Sequence, residues 1–236
     1  MASSSAARGS SSGILSVSTI LRYAKLPSSL GWPTLGATTL FIRNSYDKLW
    51  EIILELFQKY QHAELGIQIM RVLLLGTTGI GKTAALNYFL IRALKTGIKV
   101  LFESREYRYF FSDGTVLKSD VLFGGLSEHR HDRSVLLLID HQINCSPPIC
   151  SAFTVAPMSP DPLYYKEFEK NDCCTLWMPL TTEAEIIAMN KCSDSPMDAM
   201  ELTRRIELFG PIPRQVFKHD RETTTRTLAS TCNQTS

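Results

Sequence analysis

The stretch Val72-Leu73-Leu74-Leu75-Gly76-Thr77-Thr78-Gly79-Ile80-Gly81-Lys82-Thr83 decides how this chain is read. Four apolar residues run straight into a complete G-x-x-x-x-G-K-[ST] loop. Leu86, Phe89, Leu90, Ala93 and Leu94 then recur at helical spacing until Gly97. A buried strand, a glycine-rich turn and a helix N-terminus, in that order, aim backbone N–H groups at a phosphate chain. Gly76, Gly79 and Gly81 permit close backbone approach and φ values that side chains resist. Thr77, Thr78 and Ile80 complete the nest of main-chain amides. Lys82 is expected to neutralise the β- and γ-phosphates and Thr83 to ligate magnesium through its hydroxyl. The expected ligands are therefore Mg²⁺ and a nucleoside triphosphate, ATP or GTP.

Outward from this loop the chain alternates strand and helix. Ser45 caps an amphipathic helix with Leu49, Ile52, Ile53, Leu56, Phe57 and Tyr60 on one stripe. Beyond Gly97 come a strand over 99–102 ending at Glu103, and an aromatic hairpin around Asp113-Gly114. An all-apolar strand over 135–139 ends at Asp140, and another over 152–156 leads to Ser159-Pro160-Asp161-Pro162. A helix over 163–170, a strand over 175–178 and two helices over 182–190 and 196–209 follow, the last broken by Gly210-Pro211-Ile212-Pro213. Parallel strands buried on both faces make an open α/β sheet with its ligand at the carboxyl ends. The expected architecture is an α/β P-loop NTPase. It has a mostly parallel five-stranded core sheet sandwiched by helices, a β-hairpin insertion and a small C-terminal helical lid.

The strand ends supply the remaining candidates. An ionised carboxylate closing an apolar strand needs a cation before it, so Asp140 is expected to hold magnesium; a helix-cap aspartate is the alternative. His141 follows it, where motor-type ATPases carry a water-polarising glutamate. Glu103 could take that part as a catalytic residue, or belong to an exposed turn with Ser104, Arg105 and Glu106. Ser159 is placed to sense the γ-phosphate, or simply opens a proline-rich turn. Arg214, its backbone fixed by the two prolines before it, is placed to stabilise charge on the transferring phosphate, with a surface arginine as the alternative.

Composition bounds the rest. The chain has 236 residues, 44% hydrophobic and 20% charged, with a net charge of +2. That balance gives no field favouring nucleic acid, and no apolar run reaches the length of a membrane span. The six cysteines (Cys145, Cys150, Cys173, Cys174, Cys192 and Cys232) contain no Cys-x-x-Cys pair, which favours reduced thiols and an intracellular setting. His129 and His131, near Glu128, read as a solvated loop rather than metal ligands. The first 46 residues contain no Asp or Glu. Residues 1–44 are expected to be a disordered or loosely packed leader, with an organelle transit peptide as the alternative. Residues 45–218 form the expected NTPase domain, and 219–236 a frayed tail.

The order of motifs also resembles a known family. Tyr46-Asp47-Lys48-Leu49-Trp50 precedes the glycine-rich loop. After it come Phe102-Glu103-Ser104, the aromatic hairpin, Leu138-Ile139-Asp140 and Ser159-Pro160-Asp161. Tyr165-Lys166-Glu167-Phe168, Trp177-Met178-Pro179 and Gly210-Pro211-Ile212-Pro213-Arg214 complete the series. It resembles the P-loop NTPase module shared by Crinkler effectors of oomycetes and some fungi and the retrotransposon hot spot proteins of trypanosomes. The resemblance implies magnesium-dependent nucleotide binding and an effector role inside a host cell or its nucleus, through an unidentified protein partner. The chain departs from the pattern in lacking a Leu-Phe-Leu-Ala-Lys-type motif near its start and a toxin domain after Arg214. Gly210-Pro211 also stands where a glycine pair is usual. A trimmed member retaining the switch module is the expectation; a nucleotide-binding interaction module without turnover is the alternative. A nucleotide kinase is disfavoured by the absence of an arginine-rich lid.

Overall fold

The computed structural model describes residues 22–27, 31–35, 38–62, 69–122, 124–140, 150–170 and 172–218. His141, Cys145, Cys232 and the tail from 219 lie outside these residues. Strands β1 (Tyr23–Lys25) and β2 (Thr39–Phe41) pair antiparallel ahead of helix α1 (Asn44–His62). The main sheet comprises β3 (Arg71–Leu75), β4 (Lys99–Glu103), β5 (Tyr107–Ser112), β6 (Thr115–Asp120), β7 (Val135–Ile139), β8 (Phe153–Met158) and β9 (Cys173–Trp177). Helices α2 (Lys82–Lys95), α3 (Pro162–Glu169), α4 (Glu183–Lys191), α5 (Ala199–Phe209) and the short α6 (Pro213–Val216) complete the described fold.

Across the sheet the strands run β6-β5-β4-β7-β8-β3-β9. The run from β4 to β9 is parallel, and the β5–β6 hairpin extends one edge antiparallel. The chain is thus an α/β protein with a seven-stranded, mostly parallel sheet flanked by helices. Alternation along the strands shows why both faces must be apolar. Val72, Leu74, Leu136 and Leu138 join the core beneath α1 and α2, whereas Leu73, Leu75, Leu137 and Ile139 join a second core with Phe168 of α3.

Local chemistry sets the elements. On α1, Leu49, Ile53, Phe57 and Tyr60 are buried as the spacing predicts. Trp50 joins them, stacking on Phe89, while Ile52 remains 41% exposed. The hairpin turns on Asp113 and Gly114, both at positive φ, the conformation that an Asp-Gly pair tolerates. Strand β8 runs two residues beyond its expected end, through Pro157. Its ladder with β7 stops at Leu138↔Val155, so Pro157 pairs on the β3 side alone. The sheet therefore opens between β7 and β8 at their carboxyl ends.

Three further differences from the sequence reading have physical causes. Between residues 22 and 43, β1, β2 and the turn at Trp32–Leu35 pack on the domain, and Leu40 and Arg43 are buried. Their anchors combine scattered apolar contacts (Trp32, Leu35 and Leu40 pack on the main core) with side-chain hydrogen bonds such as Arg43 to Pro179 and Asn87 to Thr34, a mixture that leaves no hydrophobic periodicity. Strand β9 begins at Cys173, two residues before its expected start, so Cys173 and Cys174 pair with β3 and are partly buried against the cores. Residues Ser127–His131 form a 3₁₀ turn in which His129 stacks on Phe110 and Arg130 bonds Glu103.

Candidate functional site

The loop between β3 and α2 is built by contacts that only glycine allows. Gly79 and Gly81 have φ of 91° and 101°. A Cβ on Gly79 would lie 2.7 Å from Cβ of Arg214, and one on Gly81 would lie 2.6 Å from the Tyr46 hydroxyl. That hydroxyl donates to the Gly81 carbonyl at 3.0 Å. Arg43, 2% exposed, donates to the carbonyls of Ile80, Pro179 and Leu180, and pairs with Glu185. Glu185 also closes the capping box of α4 with Thr182. One buried guanidinium thus ties the loop to the C-terminal helices.

Helix α2 begins with no side-chain cap and no acidic residue in its first turn. Its leading N–H groups and the positive end of its dipole remain available to an anion. The Lys82 ammonium lies across the loop, donating to the carbonyls of Gly76 at 2.5 Å and Thr77 at 3.0 Å. Burial, followed by the nearby Arg214 charge, pushes this lysine down to about 8.

A cavity of about 610 Å³ opens at the carboxyl ends of the parallel strands. Thr78, Gly79, Gly81, Lys82, Thr83 and Ala84 line it from the loop and α2. Arg105, Asp140, Pro157, Met158 and Ser159 line it from the strand ends, with Leu35 and Arg214 from elsewhere in the chain. Thr83 donates to Asp140 at 3.0 Å, and the hydroxyls of Thr78 and Ser159 lie 3.3 Å apart. The Arg214 amide donates to the Gly79 carbonyl at 3.3 Å.

Most of the residues singled out from sequence therefore meet in one place: Lys82, Thr83, Asp140, Ser159 and Arg214 line the same cavity. Gly76, Thr77 and Ile80 belong to the loop without lining it. Glu103 is different. It is 1% exposed, does not line the cavity, and its carboxylate is held by Arg108 at 3.1 Å and by Arg130 through both oxygens. A carboxylate committed to two guanidiniums positions those arginines rather than receiving a proton from water. Its connection to the site runs through the backbone, where its carbonyl accepts from the Asp140 amide at 2.7 Å. Sequence reasoning passed over Arg105 and Leu35. Arg105 was legible as the cation following the strand end; Leu35 carried no signal.

The charged lining sets Lys82, Arg105 and Arg214 against Asp140, an excess of positive charge suited to a polyanion. The oxygen pair Thr83–Asp140 is a hard donor set that would suit a divalent cation such as Mg²⁺, given further oxygens from a ligand or water. No group of three or more His, Cys, Asp or Glu side chains that could hold a metal without such help occurs among the described residues. No described helix is long and apolar enough to cross a membrane.

A scan against protein-family models finds no match, and a search of curated proteins likewise finds none.

Proposed function

We propose that this chain is a P-loop NTPase binding Mg²⁺ with ATP or GTP at the Lys82–Asp140–Arg214 cavity. The carrying observation is the convergence on one cavity of Lys82, the Thr83–Asp140 oxygen pair and Arg214. The strand order supports it: β8 separates β3 from β7, which puts Ser159 between the loop and Asp140.

In this reading the loop amides and the start of α2 receive the β- and γ-phosphates, and Lys82 exchanges its two carbonyls for phosphate oxygens. Thr83 and Asp140 would hold magnesium, which when bound would supply positive charge against the phosphates. Ser159 stands where it can hydrogen-bond the γ-phosphate or an attacking water. Arg214 supplies positive charge as the phosphoanhydride bond breaks. Because Arg43 links Ile80 to the cap of α4, loop and C-terminal helices respond together, giving a switch surface for a protein partner. The motif series makes a Crinkler-like effector, working inside a host cell, the particular protein type we propose.

A second reading, a nucleotide-binding interaction module without useful turnover, is favoured by the pairing of Glu103 with Arg108 and Arg130. A phosphate-release assay with Mg·ATP and Mg·GTP separates the two. Release that disappears in Lys82→Ala supports hydrolysis, whereas saturable binding without release supports the interaction module. No binding at all contradicts both.

A further inference from the structure

The cavity is not uniformly polar, and its polarity is sorted by position. Asp140, Ser159, Arg105 and Arg214 gather around the strand ends and the loop. Pro157 and Met158 lead directly into Ser159 and belong to that side. Leu35 stands apart: it comes from the turn before β2 and reaches the cavity beside α2.

That turn is held firmly. The Leu35 amide donates to the Trp32 carbonyl at 3.3 Å, and the Trp32 indole donates to the Thr38 carbonyl at 3.0 Å. Asn87 of α2 donates through one amide nitrogen both to the Thr34 hydroxyl, at 3.2 Å, and to the Thr83 carbonyl, at 2.9 Å. The turn is therefore fastened to the same helical turn that carries the magnesium-facing Thr83. Trp32 and Leu35 also pack against the main core, so Leu35 offers the cavity a fixed aliphatic ledge.

A nucleoside triphosphate is highly charged at one end and flat and weakly polar at the other. With its phosphates on the loop and its γ-phosphate toward Asp140 and Ser159, its base would extend along the start of α2, past Thr83 and Ala84, which line the cavity. Leu35 stands on that side. We infer that Leu35, held by the turn at Trp32–Leu35, is the seat on which the base of the bound nucleotide rests; this deepens the nucleotide reading and rests on it. An aliphatic side chain packs against the face of a ring through dispersion and apolar burial, without reading the hydrogen-bonding edge. The ledge therefore strengthens binding of ATP and GTP alike, and any preference between them arises elsewhere.

Calorimetric titration of the full chain with Mg·ATP, Mg·GTP and Mg·tripolyphosphate tests this. Tripolyphosphate carries the charge without a base. Leu35→Ala is expected to weaken both nucleotides about tenfold and to leave tripolyphosphate unchanged. Leu35→Val, which disturbs folding less and removes one carbon rather than three, is expected to weaken them about twofold. Unchanged nucleotide affinity in a folded variant overturns the inference, as does an equal loss of tripolyphosphate affinity, which would make the turn a support for the loop. If the unaltered chain takes up none of the three ligands, the nucleotide reading itself fails and the ledge falls with it.

Discussion

Thr83 donates a 3.0 Å hydrogen bond to Asp140 across a strand to which neither belongs. Thr83 follows β3, Asp140 follows β7, and β8 lies between them. The pair can meet because the β7–β8 ladder ends at Val155 and the sheet opens above it. Two hard oxygens held together at a strand terminus, in a cavity also lined by Lys82 and Arg214, are what half of the proposed metal–phosphate site would require.

Asp140→Asn preserves an oxygen acceptor for Thr83 but removes the charge facing the metal. Thermal unfolding with ATP, with and without Mg²⁺, checks its effect. The unaltered protein is expected to gain about 2.7 kcal/mol when free Mg·ATP is 100 times its dissociation constant. The variant at the same concentrations is expected to show little difference between the two conditions.

The position of Lys82 predicts a pH dependence. Its ionisation falls from the usual 10.5 to about 8, through burial and then the Arg214 charge. The folded chain releases this proton first. Charging Lys82 therefore disfavours folding below about pH 8, and that penalty is relieved as pH climbs toward the unfolded value. Phosphate oxygens act in the opposite sense by favouring the ammonium, so binding above pH 8 takes up a proton. Affinity for Mg·ATP is expected to fall about tenfold between about pH 7 and pH 9. Lys82→Met is expected to bind weakly across the range, without this decline.

Glu103 is assigned to stability. Removing its carboxylate in Glu103→Ala leaves Arg108, which is largely buried, without that partner, and is expected to destabilise the protein by about 3 kcal/mol in denaturant unfolding. Glu103→Gln is expected to unfold earlier than the unaltered chain while retaining its nucleotide affinity and rate of phosphate release. A collapse of release in folded Glu103→Gln, with binding intact, would return Glu103 to a catalytic role.

Gly79 and Arg214 are predicted to act as one unit. Gly79→Ala places a methyl group against Arg214 in a backbone conformation that L-residues rarely adopt. Both Gly79→Ala and Arg214→Ala are expected to slow phosphate release about a hundredfold. The double variant should be little slower than either single one, because contacting residues do not contribute additively.

Which features the sequence revealed depends on the kind of interaction that makes each one. The strand at 72–75, the helix after it and the all-apolar strand at 135–139 were legible because burial on both faces imposes hydrophobicity on consecutive residues. The loop was legible because close backbone approach excludes side chains, as Arg214 and Tyr46 do at Gly79 and Gly81. Arg43 and Leu35 were hidden for the opposite reason. Arg43 is buried through carbonyls and a carboxylate far along the chain, and Leu35 is held at the cavity by tertiary contacts, among them the bond from Asn87 to Thr34 and packing on the core. Glu103 was rightly placed at a strand end, but its partners, Arg108 and Arg130, depend on the hairpin and the 3₁₀ turn folding back over it. Nothing local in the sequence specifies that pairing.

Direct titration of the purified full chain with labelled ATP and GTP in Mg²⁺, alongside Lys82→Ala, tests the central claim. The account predicts saturable uptake of one nucleotide per chain, lost in the variant and greatly weakened by chelating the metal. Well-folded protein that takes up neither nucleotide, or a Lys82→Ala variant that binds as tightly as the unaltered chain, would contradict it.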